Sequence, residues 1–132
     1  MGFYFMTENN NYIRKGDIFY VYLGNERNNH VQSGGINGMR PCIIVNNNVA
    51  CVYSPVLLVV PITSSERKMQ KLLPTHLVLQ DLLPKKSVAM FEQVLTVNRE
   101  QLSNKIGSVS DSMISRINQK LEIAFGLCPQ FS

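Results

Sequence analysis

The chain has no tryptophan, three cysteines, two histidines and few charged residues, 17% of its 132 positions. Each scarcity excludes something. Cys42, Cys51 and Cys128 are odd in number and no pair is spaced C-x-x-C. Neither a disulfide framework nor a cysteine zinc site is expected, and a reducing cytoplasm is the compartment that fits. With only His30 and His76, a histidine-rich metal centre is excluded. The carboxylates are scattered, without the acidic cluster that a two-metal, magnesium-dependent nuclease needs. No cofactor is expected. The longest apolar stretch, Pro55 to Ile62, falls far short of the ~20 residues of a membrane helix. The start, Met-Gly-Phe-Tyr-Phe-Met, lacks the basic head and long apolar core of a secretion signal. Met6 stands where a myristoylation motif beginning at Gly2 wants Ser or Thr.

What remains is one globular domain. Apolar residues make up 45% of the chain, enough for a core. The net charge of +4 permits an anionic partner such as a nucleic acid without demanding one. Residues 1–12 read as a loose extension, and the turn Arg14-Lys15-Gly16-Asp17 leads into a strand over Ile18–Leu23. Residues 24–39, with four Gly and four Asn, form a long polar loop. A second strand covers Pro41–Val45, and residues 46–54 read as a connector. Val56–Thr63 is apolar at nearly every position, the mark of a strand covered on both faces. Ser64–Lys71 reads as a basic loop, Thr75–Leu79 as a short strand, and Ser87–Val97 as a long fifth strand interrupted at Glu92-Gln93. One helical turn is expected at Arg99–Leu102 and a short extended piece at Ile106–Val109. The clear helix is 111–125, with Ser110 as N-cap, Asp111 in its first turn and Gly126 as its stop. Ile114, Ile117, Leu121 and Phe125 fall on one face and read as core. The pattern predicts a mainly β fold with short helices: a small, strongly curved barrel with a C-terminal helix packed on it.

The chemistry is approached through strand pairing. Arg40 opens the second strand and Thr63 closes the third. If those strands pair antiparallel, the two residues meet at one rim, beside the loops 24–39 and 64–71. A guanidinium and a hydroxyl converging there make an anion site; the competing reading is a surface Arg and a strand-end Thr that meet only water. Glu92-Gln93 inside an apolar run marks either a functional site or a bulge. Arg67, Lys68, Lys71, Lys85 and Lys86 can follow a phosphate backbone, although a solvated surface explains each one singly. His76 reads as a structural strand histidine. His30 is either a loop residue or a general acid–base.

Several segments in order then carry a resemblance: Arg14-Lys15-Gly16-Asp17-Ile18, Gly38-x-Arg40-Pro41-x-Ile43-Ile44-Val45, Tyr53-Ser54-Pro55, Val60-Pro61-Ile62-Thr63-Ser64, Leu73-Pro74-Thr75-His76-Leu77-Val78, Phe91-Glu92-Gln93-Val94-x-Thr96-Val97 and Ile106-Gly107. Over residues 13–127 the chain resembles the MazF/PemK family of toxin endoribonucleases. The resemblance implies an SH3-like β-barrel as a single domain over 13–127, with 128–132 a tail. It also implies a homodimer that binds single-stranded RNA along a groove, cleaves it without a metal, and is blocked by a cognate antitoxin. It places the catalytic roles on Arg40 and Thr63, and substrate contacts on Gln32, Ser33, Pro41, Ser64, Ser65, Glu92 and Gln93. The expected chemistry is attack of a ribose 2′-OH on its own phosphate, giving a 2′,3′-cyclic phosphate and a 5′-OH. The general base is left open, because a guanidinium holds its proton too tightly to serve readily. Two other readings compete. One is a gyrase poison like the related CcdB toxins, which the lack of tryptophan and the presence of Arg40 and Thr63 disfavour. The other is an inactive SH3-like binding module.

Overall fold

A computed structural model describes residues 13–24 and 38–131. The expected extension 1–12 and the loop residues His30, Gln32 and Ser33 lie outside the described residues. Among the described residues seven strands run in chain order: β1 (Asp17–Tyr22), β2 (Met39–Ile44), β3 (Val56–Thr63), β4 (His76–Leu79), β5 (Ser87–Met90), β6 (Leu95–Asn98) and β7 (Leu102–Ser108). Three α-helices accompany them among the described residues: α1 (Asn48–Tyr53), α2 (Glu66–Gln70) and α3 (Asp111–Ala124). The sheet is antiparallel in the order β4-β5-β3-β2-β1-β7, with β6 also on β3. The mainly β architecture with a C-terminal helix is the expected one, although the described strands form an open path rather than a closed ring.

β3 organises this sheet because both of its faces are apolar. Leu57 and Val59 pack with Phe19, Val21, Cys42, Ile44, Cys51 and Val97 in one core cluster. Val60 and Ile62 pack with Ile18, Ile43, Leu77, Leu79, Ala89, Phe91 and Ile117 in a second, over which α3 lies. The outer edge of β3 is shared. β6 pairs with Val56–Val59 and β5 with Ile62–Thr63. Pro61, which has no N–H to give, sits in the gap where this edge changes partner. Between Ile62 and Val59 β3 moves three residues, whereas its partner runs six, from Ala89 to Leu95. The three extra residues are a 3-10 turn, Phe91–Gln93. The expected single fifth strand is therefore two strands separated by a large bulge, which bends the sheet.

The connector 46–54 and the basic loop 64–71 each hold a short helix that periodicity does not reveal. Asn47 caps α1 by accepting from Ala50 N–H at 2.8 Å, and Asn48 Oδ1 accepts from Lys15 N–H at 2.9 Å. Buried Asn46 accepts from Leu58 N–H. At the other end of α1, Arg99 donates to the carbonyls of Ser54, at 2.9 Å, and Cys51, a favourable place for a cation. Ser65 caps α2. The helical turn near Arg99 is present as a 3-10 turn, Arg99–Gln101. The extended piece after it is longer than expected, because β7 begins at Leu102. α3 starts at its expected cap, and Gly126 takes φ +72 just beyond its end. The proposed apolar stripe is only partly core. Ile117 is fully buried, but Phe125 is 58% exposed, past the point where α3 leaves the sheet.

The packing of α3 depends on Gly16. Its φ is +94, and a Cβ there would stand 2.6 Å from Ile114 Cδ1 and 2.7 Å from Val109 Cγ2. Gly16 also accepts from Val109 N–H at 3.0 Å and donates to the Ile44 carbonyl at 2.8 Å. A side chain at this position both strains the backbone and wedges the helix off the sheet. Gly16→Ala should lower stability by about 2 kcal/mol or more, read as a fall in the urea midpoint. An unchanged midpoint would show that α3 does not need this close approach.

Candidate active site

β2 and β3 pair antiparallel through Cys42↔Pro61, Ile43↔Val60 and Ile44↔Val59. Continued two residues toward the rim, this register sets Arg40 opposite Thr63. Their faces agree as well. Side chains alternate along a strand, so Arg40 shares a face with Cys42 and Ile44, and Thr63 with Leu57 and Val59. Those four belong to one core cluster. Beyond the core on this face, the continued register therefore makes Arg40 and Thr63 the next residues across from each other. Arg40 is exposed and Thr63 half-buried.

The surroundings orient both groups. Thr63 Oγ1 accepts from Ser65 N–H at 3.2 Å. A hydroxyl that accepts this bond still has its own proton to donate to an incoming oxygen. Ser65 Oγ in turn accepts from Lys68 N–H at 3.4 Å, so the chain turns directly from Thr63 into α2. Behind Arg40, the Cys42 thiol donates to the Arg40 carbonyl at 3.6 Å. Burial pushes this thiol up to about 12 despite the nearby guanidinium, so it stays neutral and does not compete for the Arg40 charge. The end of β1 and the start of β2 meet at the same rim, with Leu23 N–H donating to Gly38 O at 2.8 Å. Pro41 pairs with Tyr20 of β1 and, without an N–H, stands where the β2–β3 ladder begins.

Two other expected site residues, Glu92 and Gln93, lie elsewhere. Thr63 pairs with Val88, and Glu92 and Gln93 follow the far end of β5, four and five residues on. Within one chain the sheet does not bring them to Arg40. Glu92 is instead held by Thr75 Oγ1, which donates at 2.7 Å, and by His76 Nε2 at 3.0 Å. His76 Nδ1 accepts from Leu73 N–H at 3.1 Å. That bond assigns the ring proton to Nε2, and the imidazole donates it to Glu92. Both ring nitrogens are used and the residue is 5% exposed. His76 is therefore structural, as its strand position suggested. Gln93 Nε2 reaches Met90 Sδ at 3.7 Å, and its buried Oε1 has no hydrogen-bond partner.

Comparison with known proteins places the fold. Residues 14–125 match the family described as PemK-like, MazF-like toxin of type II toxin–antitoxin system. The chain belongs to this toxin family. Proteins named endoribonuclease MazF from Staphylococcus saprophyticus and Staphylococcus epidermidis are 30% and 31% identical to it over 118 residues, 87% of this chain and 92% of each of theirs. Among solved structures, a mycobacterial endoribonuclease in complex with its cognate antitoxin superposes with a TM-score of 0.69 at 21% identity, over 87% of this chain and 96% of that one. MazF from Deinococcus radiodurans gives 0.67 at 16% identity, over 86% and 96%. These structures share the fold. In this family member the Arg-Pro and Pro-Ile-Thr segments are the two that the β2–β3 register brings to one rim.

Glu92 generates a pH prediction. Burial alone would raise its carboxyl pKa, but the hydrogen bonds from Thr75 and His76 outweigh it and hold the group below its ordinary value. A carboxyl depressed on folding stabilises the protein above its unfolded pKa, and that contribution disappears as pH falls through the folded one. Glu92→Gln should cost about 1 kcal/mol at neutral pH. The gap between the two urea midpoints should close below about pH 4, where the unfolded carboxyl is protonated. Equal midpoints at neutral pH would show that the Thr75–Glu92–His76 network adds no stability.

Proposed function

We propose that this toxin is an endoribonuclease that cleaves single-stranded RNA without a metal, with Arg40 and Thr63 acting on the scissile phosphate. The observation that supports this reading is the β2–β3 register, which, continued two residues past Cys42↔Pro61, sets Arg40 opposite Thr63. The ribose 2′-oxygen forms a bond to phosphorus while the bond to the 5′-oxygen breaks. The 2′-OH gives up its proton and the leaving oxygen takes one, leaving a 2′,3′-cyclic phosphate and a 5′-OH. Negative charge grows on the phosphorane oxygens, where a preorganised guanidinium has its largest effect. The Thr63 hydroxyl donates a hydrogen bond to one of those oxygens and keeps its proton. His76 is not the general base, because both its nitrogens are engaged inside the protein.

The substrate contacts follow from the same rim. Pro41, Ser64 and Ser65 flank Arg40 and Thr63 in the sequence, and Gln32 and Ser33 are assigned to the substrate on the family resemblance alone. Glu92 and Gln93 are assigned to RNA farther from the cut. The exposure of Glu92 and the partial exposure of Gln93 support this. A homodimer and a cognate antitoxin complete the reading. Membership of a toxin–antitoxin family supports the antitoxin, as does the mycobacterial structure solved in complex with its cognate antitoxin. Three free thiols suit a reducing cytoplasm.

The test is incubation of a long single-stranded RNA with the protein in excess EDTA, followed by mapping of the new 5′ ends. Discrete cuts bearing 5′-OH are expected. Arg40→Ala should slow them about 10²–10³-fold and Thr63→Ala at least about tenfold, the scale of lost transition-state donors. Cutting that stops in EDTA and returns with magnesium would overturn the metal-free scheme. Wild-type rates in either variant would remove that residue from the mechanism.

A further inference from the structure

The chain's surplus positive charge is gathered at the rim that holds Arg40 and Thr63. β3 leaves the sheet there into α2, which carries Arg67 and Lys68 and is followed by Lys71. β5 enters the sheet at the same end, because Thr63 pairs with Val88 and Leu79 with Ser87. The turn feeding it holds Lys85 and Lys86. Two basic segments separated in sequence are thereby joined to Arg40 along one edge. The group has six cations, with Glu66 and Asp81 as the carboxylates of the same connectors. Its surplus of four equals the net charge of the whole protein, so the other seven cations and seven carboxylates cancel. Neither ion pair described, His76–Glu92 and Lys105–Asp17, involves Arg67, Lys68, Lys71, Lys85 or Lys86. All five are exposed except Lys68, which is half-buried.

We propose that Arg67, Lys68, Lys71, Lys85 and Lys86 form a track for the sugar–phosphate backbone of single-stranded RNA flanking the scissile phosphate. The track rests on the ribonuclease reading and extends it from one phosphate to several. A row of exposed cations leading to a reactive anion site lowers the energy of neighbouring phosphates and orients the strand without reading bases. Binding by such a row releases counterions, so affinity falls with salt by about 0.7 logarithmic units of affinity per logarithmic unit of salt for each phosphate contacted.

The test measures binding of a 2′-O-methyl RNA oligonucleotide, which has no 2′-OH and cannot be cut, across a salt series. Neutralising α2 in Arg67→Gln/Lys68→Gln/Lys71→Gln should reduce the salt slope by about 2. The independent pair Lys85→Gln/Lys86→Gln should reduce it by about 1.4. Arg116→Gln, an exposed cation on α3, should leave it unchanged. On cleavable RNA both track variants should raise KM. Slopes equal to wild type would overturn the track, as would an equal loss in the Arg116 variant. Unchanged RNA binding with lost binding of poly-glutamate would also overturn it, by making the patch a protein-docking surface. A protein that fails to cut RNA while its slope responds as expected keeps the track and removes the ribonuclease reading, so the two fail separately.

Discussion

The pairing register of β2 on β3 is the constraint on which the rest depends. Both strands are central, and β3 buries apolar side chains on both faces. A slip of one residue would send every β2 side chain to the opposite face and bring Met39 or Pro41, rather than Arg40, into the row with Thr63. The apolar alternation that prevents this slip is far more extensive than the site itself. Cys42, Ile44, Leu57 and Val59 hold one face, while Ile43, Val60 and Ile62 hold the other. The position of two polar side chains is thus fixed by packing energy spent in the core, and the rim needs no rigidity of its own.

The same strand controls curvature and charge. Pro61 breaks the outer edge of β3, the 3-10 turn Phe91–Gln93 fills the break, and β5 and β6 take different stretches of that edge. This splitting brings the β4–β5 turn to the end of β3 where α2 begins. Lys85 and Lys86 then share an edge with Arg67 and Lys68 as a consequence of topology. The Thr75–Glu92–His76 network lies at the other end, where it ties the start of β4 to the bulge.

Much of this was legible in the sequence. Val56–Thr63 announced a doubly covered strand by its unbroken apolar run, and α3 announced itself by Ser110, its periodicity and Gly126. Arg40 and Thr63 could be brought together because antiparallel pairing relates the start of one strand to the end of the next. Other elements gave weak signals for physical reasons. α1 is six residues long and includes β-branched Val49 and Val52, so it depends on Asn47 and Arg99 for its ends rather than on propensity. α2 had one local signal, Ser65 before Glu66. β7 is an edge strand with Ser103, Asn104 and Lys105 in sequence, so it lacks the apolar pattern of a covered strand. Phe125 fits the helical spacing, but spacing does not show where the sheet beneath α3 ends. The distance of Glu92 and Gln93 from Arg40 was invisible for a similar reason, since it depends on which strand edge β5 joins.

Joint action of Arg40 and Thr63 on one phosphate is tested most directly by a double-mutant cycle on RNA cleavage. Rates are compared for the wild type, Arg40→Ala, Thr63→Ala and the double variant, with folding verified for each. Residues that serve one transition state as a unit lose their effects non-additively. The double variant should therefore be little slower than Arg40→Ala alone. A double variant whose loss equals the product of the two single losses would contradict the pairing and show that Arg40 and Thr63 act on separate parts of the substrate.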